Sequence, residues 1–275
     1  MPSIILCRAE TVERTAKIAH HVFSAAGFAP YDPFPGGTGT PIQMKEFVRL
    51  FAAPPLAGWV RLIGEITAEL ATPLLVALSE QGDPRDALWL RFNGEHAALD
   101  AYQGGKPASL TAFLKAGVGE DALAASLAQA PEGGRKRRGR ETPPADLPDD
   151  LADFAKTHQV NPSQAAGFIE RFAGGVFGRL DKQSGGAAGG MRGEAAAMLG
   201  GGGWSGLGGG RLLAAAALLM IPAGWETPTF EVLRDAYQVG RRLRRSPNAD
   251  LMPDERAALN ALPDALSFLP LYVGR

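Results

Sequence analysis

Residues 87–102 read ALWLRFNGEHAALDAY. The first six are strand-like, rich in aromatic and apolar side chains, and residues 96–102 form a second such run. Asn93-Gly94 lies between the two runs, and Asn-Gly flanked by apolar alternation is the strongest short-range hairpin signal.

Working upstream, residues 59–66 (WVRLIGEI) alternate large apolar and polar side chains, and residues 67–82 carry a helical apolar period. Residues 3–8 (SIILCR) are β-rich, and in residues 11–28 Val12, Ala16, Ala19, Val22, Phe23 and Ala26 recur at helical spacing. Residues 31–41 (YDPFPGGTGTP) hold too much Pro and Gly for regular structure, which makes them a loop or flap, with a short helix expected over 43–51. Downstream, helices are expected over 110–115 and 120–128. The order β-α-β-α-β-β predicts an α+β protein whose residues 1–130 form a two-layer α/β sandwich with a small mixed sheet. Trp59 and Trp89 are expected to be buried with Val22, Phe23 and Leu75.

Residues 131–150 (PEGGRKRRGRETPPADLPDD) combine Pro, Gly and charge with almost no apolar residue, the composition of a linker. Beyond it the pattern is helical over 151–157, 162–173, 212–220, 230–245 and 254–262, with a Gly-rich excursion at 185–210. A mainly α-helical C-terminal domain over 151–275 is therefore expected.

With 45% hydrophobic and 21% charged residues and a net charge of -1, the chain has the composition of a globular protein with no bias toward a polyanion. Lys+Arg against Asp+Glu runs 10 to 13 over residues 1–130, 5 to 5 over 131–150 and 13 to 11 over 151–275, so a nucleic-acid surface would have to be a local patch. Cys7 is the single cysteine, which excludes an internal disulfide. A reducing, cytoplasmic setting is expected, and the N-terminus lacks the pattern of a signal peptide. The longest apolar run, residues 212–222, is about half the ~20 residues that span a bilayer, so no membrane partner is expected.

Residues 154–169 (FAKTHQVNPSQAAGFI) have the layout of a helix-turn-helix. Asn161 can cap the second helix, Pro162 suits its first position and Gln164 can reach back. In a DNA-binding version Ser163, Gln164, Gly167 and Arg171 face the major groove. Against it, Gln159 stands where glycine usually makes the turn, Glu170 faces the phosphates and Arg171 is the sole cation; a plain helical hairpin is the competing reading.

Arg135, Lys136, Arg137, Arg138 and Arg140 form a basic run that suits an arm along a phosphate backbone, balanced by Asp146, Asp149 and Asp150 nearby. Arg241, Arg242, Arg244 and Arg245 end a helix, where cations favour the dipole; four in five residues exceed that need and suggest a phosphate or acidic-partner site.

The run GGGGWSGLGGG at 200–210 lacks the Lys-Ser/Thr of a phosphate loop and the third glycine of a dinucleotide fingerprint, and Leu207 stands where a nucleophile elbow needs glycine. His20, His21, His96 and His158 make no metal-ligand spacing, and Glu65, Glu69, Glu95 and Asp100 form no identifiable acid-base pair. No cofactor, metal or catalytic residue is assigned. The expected function is a non-enzymatic nucleic-acid-associated or regulatory protein with DNA as partner; the alternative is a protein-protein interaction or assembly module with an acidic partner.

Overall fold

The computed structural model describes residues 3–82, 84–92, 95–128 and 206–275. The chain divides into two units, one of residues 1–131 with 206–275 and one of residues 132–205, and the second lies outside the described residues. So do the expected linker over 131–150 and the helix-turn-helix over 154–169.

Eight strands form one sheet: β1 (Ser3–Arg8), β2 (Ala29–Pro30), β3 (Phe47–Ala52), β4 (Trp59–Glu65), β5 (Asp86–Phe92), β6 (Ala97–Gln103), β7 (Lys106–Ala108) and β8 (Leu269–Gly274). Their order is β2-β8-β3-β4-β1-β5-β6-β7, and every neighbouring pair is antiparallel. Among the described residues the sheet is thus larger than the small mixed one expected, and its pairs are antiparallel. Helices α1 (Val12–Ala25) and α2 (Ala68–Gln81) each carry the chain to a strand two places away, β1 to β3 and β4 to β5. Together these six elements make a split β-α-β-β-α-β pattern.

The expected helix over 43–51 is absent: residues 47–52 are the strand β3 and 43–46 precede it without regular structure. In Phe47-Val48-Arg49-Leu50-Phe51 the alternation has period two, with Val48 and Leu50 on one face and Phe47, Arg49 and Phe51 on the other. Gly64 allows β3 to run close to β4, since its φ is +151° and a Cβ there would stand 2.1 Å from the Arg49 carbonyl oxygen.

The C-terminal segment supplies α4 (Leu207–Ala217), α5 (Phe230–Arg245), α6 (Pro253–Ala261) and β8. β8 enters the sheet between β2 and β3, so these helices share the sheet of residues 3–128. The end of the Gly-rich run is helical: Gly208 and Gly209 are buried in the first turn of α4, which packs on β5, β6 and α3 (Glu120–Ala128).

Both faces of the sheet are covered, which makes a three-layer arrangement. On the first face, Ile5, Cys7, Val48, Leu50, Val60, Leu62, Trp89 and Leu271 meet Ala16, Ala19 and Phe23 of α1 and Leu74, Leu75 and Leu78 of α2. Trp89 is buried there as expected. Trp59 is buried too, but on the second face, where the Arg8 guanidinium lies 4.2 Å from its ring centre. The second face also carries Phe51, Ile63 and Tyr272, packed against Leu233, Ala236 and Tyr237 of α5 and Phe268.

Candidate functional site

The second face is apolar at its centre and turns polar at one side. Register on β3 decides this: Arg49 stands opposite Glu65 of β4 and Tyr272 of β8, so a carboxylate, a guanidinium and a phenol form one row across three strands. Arg49 and Glu65 form an ion pair at 3.3 Å, with side chains 46% and 55% exposed. Phe47, two residues before Arg49 on the same face, is opposite Gly274, where a Cβ would come within 3.1 Å of its ring.

The loop expected over 31–41 folds around Asp32. The Asp32 amide donates to Thr38 Oγ1 at 2.9 Å, its carbonyl accepts from Gly39 N at 2.7 Å, and its Oδ1 accepts from Phe34 N at 3.0 Å. An aspartate that hydrogen-bonds the backbone two residues on is the usual organiser of such turns. Arg241 of α5 ties the loop down through a 3.1 Å bond to Asp32 Oδ2. Phe34 then inserts into the aromatic cluster, with ring centres 4.7 Å from Tyr237, 5.2 Å from Tyr272 and 5.8 Å from Phe51.

Between this loop, β3, β8 and α5 lies an open cleft of about 340 Å³, lined by Tyr31, Pro33, Phe34, Thr40, Phe47, Arg49, Arg234, Gln238 and Tyr272. That volume falls in the range of small-molecule sites. Arg49 enters from the sheet and Arg234 from α5, while Gln238 sits one helical turn beyond Arg234. Arg234 bonds to its sequence neighbour Asp235 at 2.8 Å, and both side chains are partly exposed.

Tyr272 is buried, yet among the described residues its hydroxyl has no hydrogen-bond partner. Burial raises its pKa, Tyr31 adds to the rise, and the charges of Arg234 and Arg49 oppose it. The phenol therefore stays protonated at neutral pH and remains a donor. Burial also raises the pKa of Tyr31, opposed by Arg49. The two rings meet edge to face at 5.8 Å.

The four arginines at the end of α5 separate into two groups. Arg241 is bound to Asp32, and Arg242 grips both carboxylate oxygens of Glu255 on α6 at 2.6 Å each. Arg244 and Arg245 are exposed, and the side chain of Arg245 runs along Gly36. Arg135, Lys136, Arg137, Arg138, Arg140, Ser163, Gln164 and Arg171 lie outside the described residues.

Other polar groups are structural. Arg61, buried on the second face, donates from Nη1 to the carbonyls of Gly224, Trp225 and Thr227, fastening the segment before α5 onto β4. Cys7 contacts Thr15 Oγ1 at 3.8 Å, and burial pushes its thiol up to about 12, which removes the thiolate needed for reactivity. Burial lowers the pKa of His20. Asp100 pairs with Arg91, and among the described residues no three His, Cys, Asp or Glu side chains converge as metal ligands. No helix among the described residues is long and apolar enough to cross a membrane.

Sequence reasoning missed Arg49, Arg234, Tyr31 and Tyr272. The signal for Arg49 was present once 47–51 is read as a strand, because the alternation puts a cation between two phenylalanines on one face. Tyr272 and Arg234 had no such signal, since only the pairing of β8 with β3 and the packing of α5 on that face bring them to that place. No protein-family model, curated protein or solved structure matches this chain.

Proposed function

We propose that this α+β protein is a non-enzymatic, nucleic-acid-associated regulatory protein whose cleft between the 31–41 loop, β3, β8 and α5 is its ligand-receiving part. The observation that carries the reading is the pairing of two arginines from different elements, Arg49 and Arg234, with aromatic walls in one cleft. Guanidinium groups suit phosphate oxygens, and an exposed ring such as that of Phe47 suits a base, which is the combination by which proteins hold unpaired nucleotides. The basic run from Arg135 to Arg140 supplies a second source of phosphate contacts, independent of the cleft.

The test is fluorescence anisotropy of the full chain with labelled single-stranded and duplex DNA at low and at physiological salt. The reading predicts binding that weakens steeply with salt, with each phosphate contact contributing about 0.9 to the logarithmic slope on duplex and about 0.7 on single strands. Replacing Arg135, Lys136, Arg137 and Arg138 by alanine should flatten that slope. An absence of binding to any nucleic acid at low salt overturns the reading.

A further inference from the structure

The cleft is specific enough in its chemistry to define a ligand. We propose that it binds a nucleotide unit, with the phosphate held between Arg49 and Arg234 and the planar base laid against Phe47. This rests on the reading of the cleft as the protein's ligand-receiving part.

Three observations converge on it. The two guanidiniums come from opposite walls, and their carboxylate partners do not consume them: Glu65 and Asp235 make partly exposed pairs, at 3.3 and 2.8 Å, which water screens. An incoming dianion would interact with both cations at once, which a single exposed carboxylate does not. Next to Arg49 on the same face, Phe47 is 37% exposed despite being aromatic and in a strand. Tyr31 supports that ring from the side, edge to face at 5.6 Å, so it is positioned as a platform.

The third observation is Tyr272, which stands in register with Arg49 and lines the cleft while remaining only 4% exposed. Its hydroxyl is a buried donor without a partner among the described residues. A buried polar group in that condition is destabilising until a ligand or an ordered water supplies its partner. The charges of Arg234 and Arg49 act on this hydroxyl, as does that of Glu65. Gln238, exposed on α5, adds an amide at the rim that can read a base edge.

A nucleotide unit can come free or as part of a strand, and the arms of the experiment separate these. Isothermal titration calorimetry on the full chain would use AMP, adenosine and inorganic phosphate as separate probes, beside a single-stranded oligonucleotide. The expected result is AMP binding at least about tenfold tighter than either fragment, because both halves of the site contribute. Arg49→Ala and Arg234→Ala should each weaken AMP about tenfold or more, the size for loss of a hydrogen bond to a charged group, and leave adenosine unchanged. Phe47→Ala should weaken AMP and adenosine alike. All three side chains are at least partly exposed, so the variants should keep the wild-type denaturation midpoint, which is measured alongside.

AMP binding no tighter than phosphate, no tighter than adenosine, or absent overturns the proposal. Oligonucleotide binding lost with AMP binding in Arg49→Ala identifies the strand as the source, and oligonucleotide binding unaffected by that variant identifies the free nucleotide. If AMP fails while oligonucleotides bind, this inference falls and the nucleic-acid reading stands. If oligonucleotides fail while AMP binds, the nucleic-acid reading falls and the cleft assignment stands.

Discussion

The two faces of the sheet are built from the same strands, and they differ in what they tolerate. Under α1 and α2 the side chains are mostly aliphatic, with Ala19, Leu74, Leu75 and the aromatic Phe23 at zero exposure, and Thr15, the buried polar side chain of α1, bonds back to the Thr11 carbonyl at 3.4 Å. Among the described residues the unpartnered polar atom of that core is the Trp89 indole nitrogen. Under α5 the core is aromatic, and it carries a buried cation, two buried tyrosines of β8 and the 31–41 loop, and an orphan hydroxyl. The first face buries few polar side chains among the described residues. The second holds its polar groups beside a cleft.

This contrast predicts unequal responses to substitution. The largest effect should come from Phe23→Ala on the first face, where truncating a fully buried aromatic costs ~3–5 kcal/mol. Urea unfolding should show it as a lower midpoint at unchanged slope, with AMP affinity unaltered in the fraction that is folded. A loss below 1 kcal/mol would mean the α1 packing is not the core it looks like.

A smaller loss should follow Arg61→Leu, which removes the Nη1 donor from the carbonyls of Gly224, Trp225 and Thr227, of which Gly224 still accepts from Thr227 N and Oγ1; loss of a hydrogen bond from a charged donor costs ~1.5–3 kcal/mol. Hydrogen exchange should then quicken in residues 222–230 before it does in α1 or α2. Uniform acceleration over the whole unit would contradict a local fastening role.

The smallest effect is acid sensitivity at the far end of α5. Hydrogen bonding from Arg242, and then from the Met252 amide, lowers the pKa of Glu255. A lowered folded pKa stabilises above the unfolded carboxyl value, about 4.3, and that contribution is lost as pH falls through the folded value. In a titration from pH 6 to 2, Glu255→Gln should lose part of the wild-type acid dependence; an identical curve would show that the pair contributes nothing to stability.

How far the fold could be read in advance depended on whether its signal was local. Residues 59–65, 68–81 and 120–128 announce themselves through period two or period 3.6, and α5 begins and ends where its apolar stripe does. β8 does not: LPLYVG is short and holds Pro270, which argues against a central strand. It is tolerated because β2 pairs only with Val273 and Gly274, so the missing amide of Pro270 disrupts no second ladder. Once β8 goes unread, the C-terminal helices look like a domain of their own, and the row Glu65-Arg49-Tyr272 cannot be assembled. The arginines at 241–245 stood out by density, yet two of them are engaged by Asp32 and Glu255, partners 209 and 13 residues away that no local pattern reveals.

The claim at the centre of this account is that the second face keeps Tyr272 for a ligand and not for stability, and Tyr272→Phe tests it with one substitution. The ring and its contacts with Phe34, Phe51 and Tyr31 are retained, and only the unpartnered hydroxyl is removed. The predicted result is a denaturation midpoint at or above that of the wild type, since removing a buried donor without a partner relieves a cost of ~1–3 kcal/mol, together with weakened AMP binding. A midpoint well below the wild type with AMP binding intact would show that the hydroxyl serves the fold, and would contradict the division of labour between the two faces.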